Sequence, residues 1–198
     1  MANTSKPIGL RPVSTVSGAK WNGQVTQYLV RSADGTAIYV GDLVKSEGTA
    51  GAAGVVVNGQ DVEGMMSIIR AAAGDVCRGV VVGFLPKQTD LTVLHREAST
   101  NRIALVVDDP NVVYEVEANG VGLAAVDIGL NANIVATAGS TTTGQSAEVL
   151  DTSSINTTNT LQLKILGLVK RADNALGTSD KVLVLLNSHE YRTGVTGV

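Results

Sequence analysis

The side chains that could do bond-making chemistry are few. The chain has two histidines, His95 and His189, and one cysteine, Cys77. A zinc site needs clustered His, Cys or carboxylates at ligand spacing. Neither histidine lies in an HExxH pattern and Cys77 lies in no CxxC. Asp108-Asp109 could be offered to Mg²⁺ or Ca²⁺, but adjacent strand residues point to opposite faces and the following Pro110 makes a turn the better account. A covalent mechanism needs a Ser or Cys with a base and an orienting acid. There is no Gly-x-Ser-x-Gly. Cys77 sits in Asp75-Val76-Cys77-Arg78-Gly79-Val80, where a small buried thiol is the expected role. Gly120-Val121-Gly122-Leu123-Ala124-Ala125 fits the loose form of a dinucleotide loop, which requires a helix to face pyrophosphate. Val126-Asp127-Ile128-Gly129 follows at once and breaks any helix, so the glycines predict a turn and a close backbone approach. No catalytic residue, metal or cofactor is expected.

Composition narrows the partners. Aromatic residues are 3%, too few for the stacking platforms of carbohydrate or single-stranded nucleic-acid sites. A net charge of −3 has the wrong sign for nucleic acid. The charge is unevenly placed: residues 1–33 hold Lys6, Arg11, Lys20 and Arg31 and no acid, so the remainder carries −7. A basic N-terminus on an acidic body is a partner-binding pattern, or simply four cations that keep a terminus soluble. The lone cysteine excludes an internal disulfide. No stretch approaches ~18 apolar residues, so no membrane span is expected. The opening Met-Ala-Asn-Thr-Ser-Lys-Pro has no apolar signal core, which predicts assembly in a cytosol-like compartment.

The elements that would position these residues read as strands. Charged residues are 17%, and the 22 glycines with abundant Val and Thr suit sheet and turns. Residues 1–20 read as an extended arm, because Pro7 and Pro12 push their neighbours away from helix. Ile8, Leu10 and Val13 give that arm apolar surface to bury on a partner. Trp21 stands where arm meets body, and packing on its own domain is a plainer role for it than ligand stacking. The body, 21–187, reads as about ten short strands. Runs are expected over Gln24–Arg31 and Ala37–Lys45, with a Gly/Ala loop at 48–54. Asn58-Gly59 signals a hairpin. Residues 62–73 fit a helical face, but Gly64 and the short length favour strand. Val80–Leu85 reads as a buried strand. Arg102–Val107 and Val112–Ala118 read as a pair across the turn Asp108-Asp109-Pro110-Asn111. Segment 137–160 reads as an exposed loop or weak strand pair, Leu161–Val169 and Lys181–Asn187 close the body, and 188–198 forms a polar tail. The fold class is all-β: a jelly roll, barrel or sandwich with an extended N-terminal arm.

Several segments taken in order resemble a known family. They are Lys6-Pro7-Ile8-Gly9-Leu10-Arg11-Pro12-Val13, Gly35-Thr36-Ala37-Ile38-Tyr39-Val40-Gly41-Asp42, Arg78-Gly79-Val80-Val81-Val82-Gly83-Phe84, Asp108-Asp109-Pro110-Asn111-Val112-Val113-Tyr114-Glu115-Val116, Leu163-Lys164-Ile165-Leu166-Gly167-Leu168 and Lys181-Val182-Leu183-Val184-Leu185-Leu186-Asn187. The series resembles the capsid cement (decoration) proteins of tailed bacteriophages. The resemblance implies a β-barrel or jelly-roll protein on the outer surface of the virion head, assembled in the host cytoplasm. It implies a major capsid protein as partner and self-association as a homotrimer, or a homodimer at two-folds. It implies no catalytic residues, no nucleic acid and no membrane. Ile8, Leu10 and Val13 would then bury apolar surface on the shell, Arg11 would pair with a shell carboxylate, and Pro12 and Trp21 would complete the contact. The arm could add a strand to a neighbour's edge. Two other readings stand beside it. One is a non-catalytic carbohydrate-binding β-module of a virion appendage. The other is a hydrolase in which His95 or His189 meets a Ser or Cys in a cleft.

Overall fold

Runs of Val, Ile and Leu broken by Gly, Pro, Asn and Asp fold into strands in a computed structural model that describes residues 3–192. The strands are β1 (Arg11–Thr15), β2 (Thr26–Val30), β3 (Leu43–Ala50), β4 (Val56–Val57), β5 (Gln60–Asp61), β6 (Met66–Arg70), β7 (Gly79–Phe84), β8 (Arg102–Val107), β9 (Val112–Glu117), β10 (Asn131–Ala132), β11 (Ile134–Val135), β12 (Val149–Leu150), β13 (Leu163–Leu168) and β14 (Lys181–Leu186). Nine of them have five residues or more, close to the ten expected; the other five are two-residue ladders. The only helical pieces among the described residues are single 3₁₀ turns at Ala125–Asp127 and Thr152–Ser154.

The strands make two main layers. Strands β2-β6-β3-β7-β8 close into a small barrel, and β1-β9-β14-β13-β10 form an open sheet. Among the described residues, the named strands all pair antiparallel except β2 with β6. Neighbouring strand residues face opposite ways. Leu43, Val80 and Val107 therefore pack in the core shared with the open sheet, while Val44, Val81 and Val106 fill the barrel. This wall is buried on both sides, which is why Val80–Val82 reads as one apolar run.

The expected pair across Asp108–Asn111 does not form. Strand β8 bonds to β2 and β7, and β9 bonds to β1 and β14. The turn instead carries the chain from barrel to sheet. The hydroxyls of Thr26 and Tyr28 hold Asp108 at 3.1 and 2.7 Å, while Asp109 accepts the Asn111 amide at 2.8 Å. Val107 and Val112 can then point into the same core from different layers. Strand β3 also runs into the expected Gly/Ala loop. The run before it breaks at Gly41, whose φ of 100° makes a turn, and Ile38 and Val40 make only single bridges to Arg96 and Gln145. Residues 66–70 are strand, and β4 and β5 form the hairpin at Asn58-Gly59, with the two positive φ values (52° and 76°) that such a tight turn needs. Segment 137–160 contributes the weak ladder of β12 with β11. Gly122 is the close approach expected of its loop: a Cβ there would lie 1.7 Å from the Gly177 carbonyl oxygen.

The extended arm is a correction. The segment is extended, but it is built into its own chain. Strand β1 is the edge strand of the open sheet, pairing Arg11 with Glu115. Leu10 is 2% exposed and lies in the main core, and its amide donates to the Gly41 carbonyl at 2.9 Å. Gly9 passes so close to Gly41 that a Cβ would meet its carbonyl oxygen at 2.4 Å. Upstream, Ser5 and the Lys6 amide both bond Glu117 at 2.8 Å. The free edge of β1 is partly capped by the return of the chain, through Thr15 to Ala19 and Trp21 to Val13 hydrogen bonds. The physical reason is local: the apolar residues of the segment find the core of this chain within reach. At the other end the tail is docked through residue 192, with the Cys77 amide on the Ser188 carbonyl and the Glu190 amide on the Cys77 carbonyl, both at 2.9 Å. Residues 193–198 of the expected tail lie outside the described residues.

Leu10→Ala should cost about 2–5 kcal/mol of unfolding free energy, read as a lowered urea midpoint. A free arm would leave the midpoint unchanged.

Candidate interaction surface

Five of the six residues singled out in the N-terminal segment come together. Ile8, Leu10, Arg11, Pro12 and Trp21 line one depression of about 300 Å³ with Val40, Gly41 and Val82 of the barrel side. Val13 does not line it. The roles differ from those expected. Leu10 and Pro12 are buried and form the floor, so they offer little to a partner. Arg11 pairs within the chain: its guanidinium meets Glu115 at 2.8 Å, and Arg171 meets the other Glu115 oxygen at 2.9 Å. Ile8 and Trp21 are half-buried, and Trp21 packs against the main core, which is its plainer role.

The depression continues both ways. Through Ile8, Arg11 and Gln145 it joins a groove of about 630 Å³ whose walls carry Lys6, Arg171 and Lys181. The acids there, Glu115 and Glu117, are each already engaged by cations of this chain. Through Val40, Val82 and Gln145 it joins a hollow of about 370 Å³ lined by Phe84, Pro86, Leu91 and Leu94. These three adjoining hollows make up a trough with the exposed leucines toward one end and Lys6, Arg11, Arg171 and Lys181 toward the other. Leu91 and Leu94 are 72% and 55% exposed. Sequence reasoning missed both, since single exposed leucines carry no signal.

The loop that carries those leucines is held by buried cations. Arg96 is fully buried and donates to the carbonyls of Thr100 (2.9 Å), Thr36, Arg31 and Asp34 (2.8 Å). Arg102 donates to the carbonyls of Leu85 (3.2 Å), Val93 (2.9 Å) and His95 and lies over the Phe84 ring at 5.3 Å. Each guanidinium satisfies carbonyls that no ladder reaches, which fixes the loop without secondary structure. His95 stacks on Tyr39 at 5.0 Å, and burial lowers its pKa.

The other chemically capable residues sit elsewhere. Cys77 has its thiol on the Asp75 carbonyl at 3.4 Å and beside the Gln162 amide at 3.6 Å, and burial pushes its pKa far up. His189 pairs with Cys77 through backbone only, and its Nδ1 accepts from the Tyr191 amide at 3.0 Å. Burial, with Arg192 and Arg78 nearby, pushes His189 down to about 4. Arg78 clamps this tail, donating to Glu190 at 3.1 Å, to Tyr28 at 2.8 Å and to Tyr191. Among the described residues no three His, Cys, Asp or Glu side chains gather as a metal site, and no helix is long and apolar enough to cross a membrane. Comparison of the chain with models of protein families, with curated proteins and with solved structures finds no match.

The buried neutral His189 makes the tail acid-sensitive. Its folded pKa, about 4, lies below its ordinary value of 6.5, so its contribution is full above the latter and lost as pH falls through the former. The urea midpoint should drop on acidification across that window, and more steeply in the native protein than in His189→Gln. Equal slopes would show that the histidine is not buried neutral.

Proposed function

We propose that this chain is a decoration subunit of a tailed-bacteriophage head, binding the outer face of the shell and bridging major capsid subunits through the trough. The observation that carries the reading is the trough itself: an exposed apolar end on a loop pinned by Arg96 and Arg102, continuous with a basic end. A surface held in shape before contact loses little entropy on binding, and exposed apolar residues gathered in one place mark interaction sites. The ordered series of segments that resembles cement proteins supports the same reading.

The physical logic is linkage. A subunit that binds only the mature shell stabilises it in proportion to occupancy. Self-association, as a homotrimer or as a homodimer, would add avidity without strong single contacts. In this reading the contact is made by Leu91, Leu94, Ile8 and Trp21 with Arg11 and Arg171, not by a free N-terminal strand. It involves no catalysis, no cofactor, no nucleic acid and no membrane.

Purified protein mixed with expanded, undecorated heads should co-sediment and raise their melting temperature. The double variant Leu91→Asp, Leu94→Asp should keep the stability of the free protein and bind heads at least about tenfold more weakly. Absence of co-sedimentation and of added heat stability in the native protein would overturn the reading. Binding to a glycan array instead would favour a carbohydrate-binding module.

A further inference from the structure

Beneath the trough lies a joint made of two buried acids and one cation. Asp42 leads into β3 and Glu148 into β12, and both are 0% exposed. Arg70, the last residue of β6, places its Nε 3.0 Å from Glu148 and 3.5 Å from Asp42, and it donates its other end to the Thr137 carbonyl. Glu148 Oε2 accepts the Leu43 amide at 2.9 Å, and Asp42 Oδ2 accepts the Tyr39 amide at 2.8 Å. Three segments meet here. The Ser146 amide bonds the Val40 carbonyl at 2.8 Å, the Leu10 amide bonds the Gly41 carbonyl, and Gly9, Gly41 and Ser146 touch without room for a Cβ.

Two facts of this arrangement point the same way. The first is charge: two carboxylates on one guanidinium leave a surplus negative charge in the interior, which is costly. The second is an orphan: Asp42 Oδ1 is buried with no hydrogen-bond partner. The Ser146 hydroxyl beside it favours the charged form, but no donor reaches Oδ1 with hydrogen-bond geometry. One proton on the pair bears on both, since it cancels the surplus charge, and an uncharged Asp42 loses less by leaving Oδ1 without a donor.

We propose that Asp42 and Glu148 hold one proton between them at neutral pH, and that this proton locks the 137–150 segment and the N-terminal strap to the barrel under the trough. Burial, and then the charge of Asp42, push Glu148 up to about 8; burial also raises Asp42. The other groups that bear on the pair are the Arg70 cation and the Cys77 thiol, which burial keeps protonated. The folded pKa lies above the ordinary carboxyl value of 4.5. The joint therefore contributes fully below that value, weakens as pH rises, and is spent above about 8. Deprotonation leaves both acids charged, with Asp42 one residue from Gly41 and Glu148 three residues from Gln145, both of which line the trough.

The test uses the free protein, so it stands apart from any shell. Carboxyl ¹³C resonances of labelled Asp and Glu, followed from about pH 5 to about pH 9.5, should show one acid of the pair still protonated at neutrality. Its midpoint should lie near 8. Trp21, the only tryptophan, lines the same depression, and its emission should shift over the same range. Glu148→Gln should abolish the shift and raise the melting temperature at alkaline pH relative to the native protein. Asp42→Asn carries the same test should the first variant fold poorly. Two acids that are both ionised by about pH 6 would overturn the shared proton. A carboxyl titration that leaves Trp21 unchanged would overturn its coupling to the trough.

Discussion

The constraint on which the rest depends is a barrel wall buried on both faces. Leu43 and Val44, Val80 and Val81, and Val106 and Val107 each put one side chain into the barrel and the next into the core shared with the open sheet. At about 25 cal/mol per Å² of apolar surface, such a wall draws stability from every residue rather than every second one. It does not fix register by itself, because a slip of one residue would only exchange two apolar faces, so something else must pin it. The pins are the close glycines. Gly79 carries no Cβ because one would lie 2.2 Å from the Val107 carbonyl oxygen, and this sets β7 against β8.

A wall with no wet face must place its polar groups at its ends, and this explains the charged residues inside. Arg70, Arg78, Arg96 and Arg102 all lie at strand ends or in the loops between them, each largely withdrawn from water and each bonded to carbonyls, carboxylates or a tyrosine hydroxyl. A guanidinium is suited to this work because it stays charged and offers five donors in a plane. The same logic gives loop 86–99 its shape without a ladder, and so gives the trough its apolar end.

Much of the fold was legible in the sequence where one physical rule decided the outcome. Asn58-Gly59 admits the positive φ pair of a tight hairpin, and the apolar run Val80–Leu85 reads as a buried strand, of which β7 is fully buried through Val81 and half-buried from Val82 on. Gly120-Val121-Gly122 forms the turn and close backbone approach that its glycines signal. Legibility failed where two layers compete for one segment. Val107 and Val112 flank a good turn signal, yet both point into one core from different sheets, and nothing local says that a turn joins layers rather than neighbours. The N-terminal segment failed for a related reason. Its prolines do enforce an extended chain, but extension does not say which edge the chain pairs with. Leu91 and Leu94 were invisible because exposure is a property of the assembled surface.

The candidate site inherits this pattern. Five of the six residues picked from the N-terminal segment are at the trough, but for most of them the reason is architectural. Leu10 and Pro12 build its floor, and Arg11 is held by Glu115 in a row with Arg171. A strand already paired with β9 cannot also pair with a partner's edge through the same groups, since each backbone amide donates once. In the proposed function the face is recognised chiefly by side chains: apolar ones on a loop that buried arginines hold still, and the Arg11 and Arg171 cations beside Glu115. On that proposal, a surface held in shape before contact suits a partner that is itself already folded.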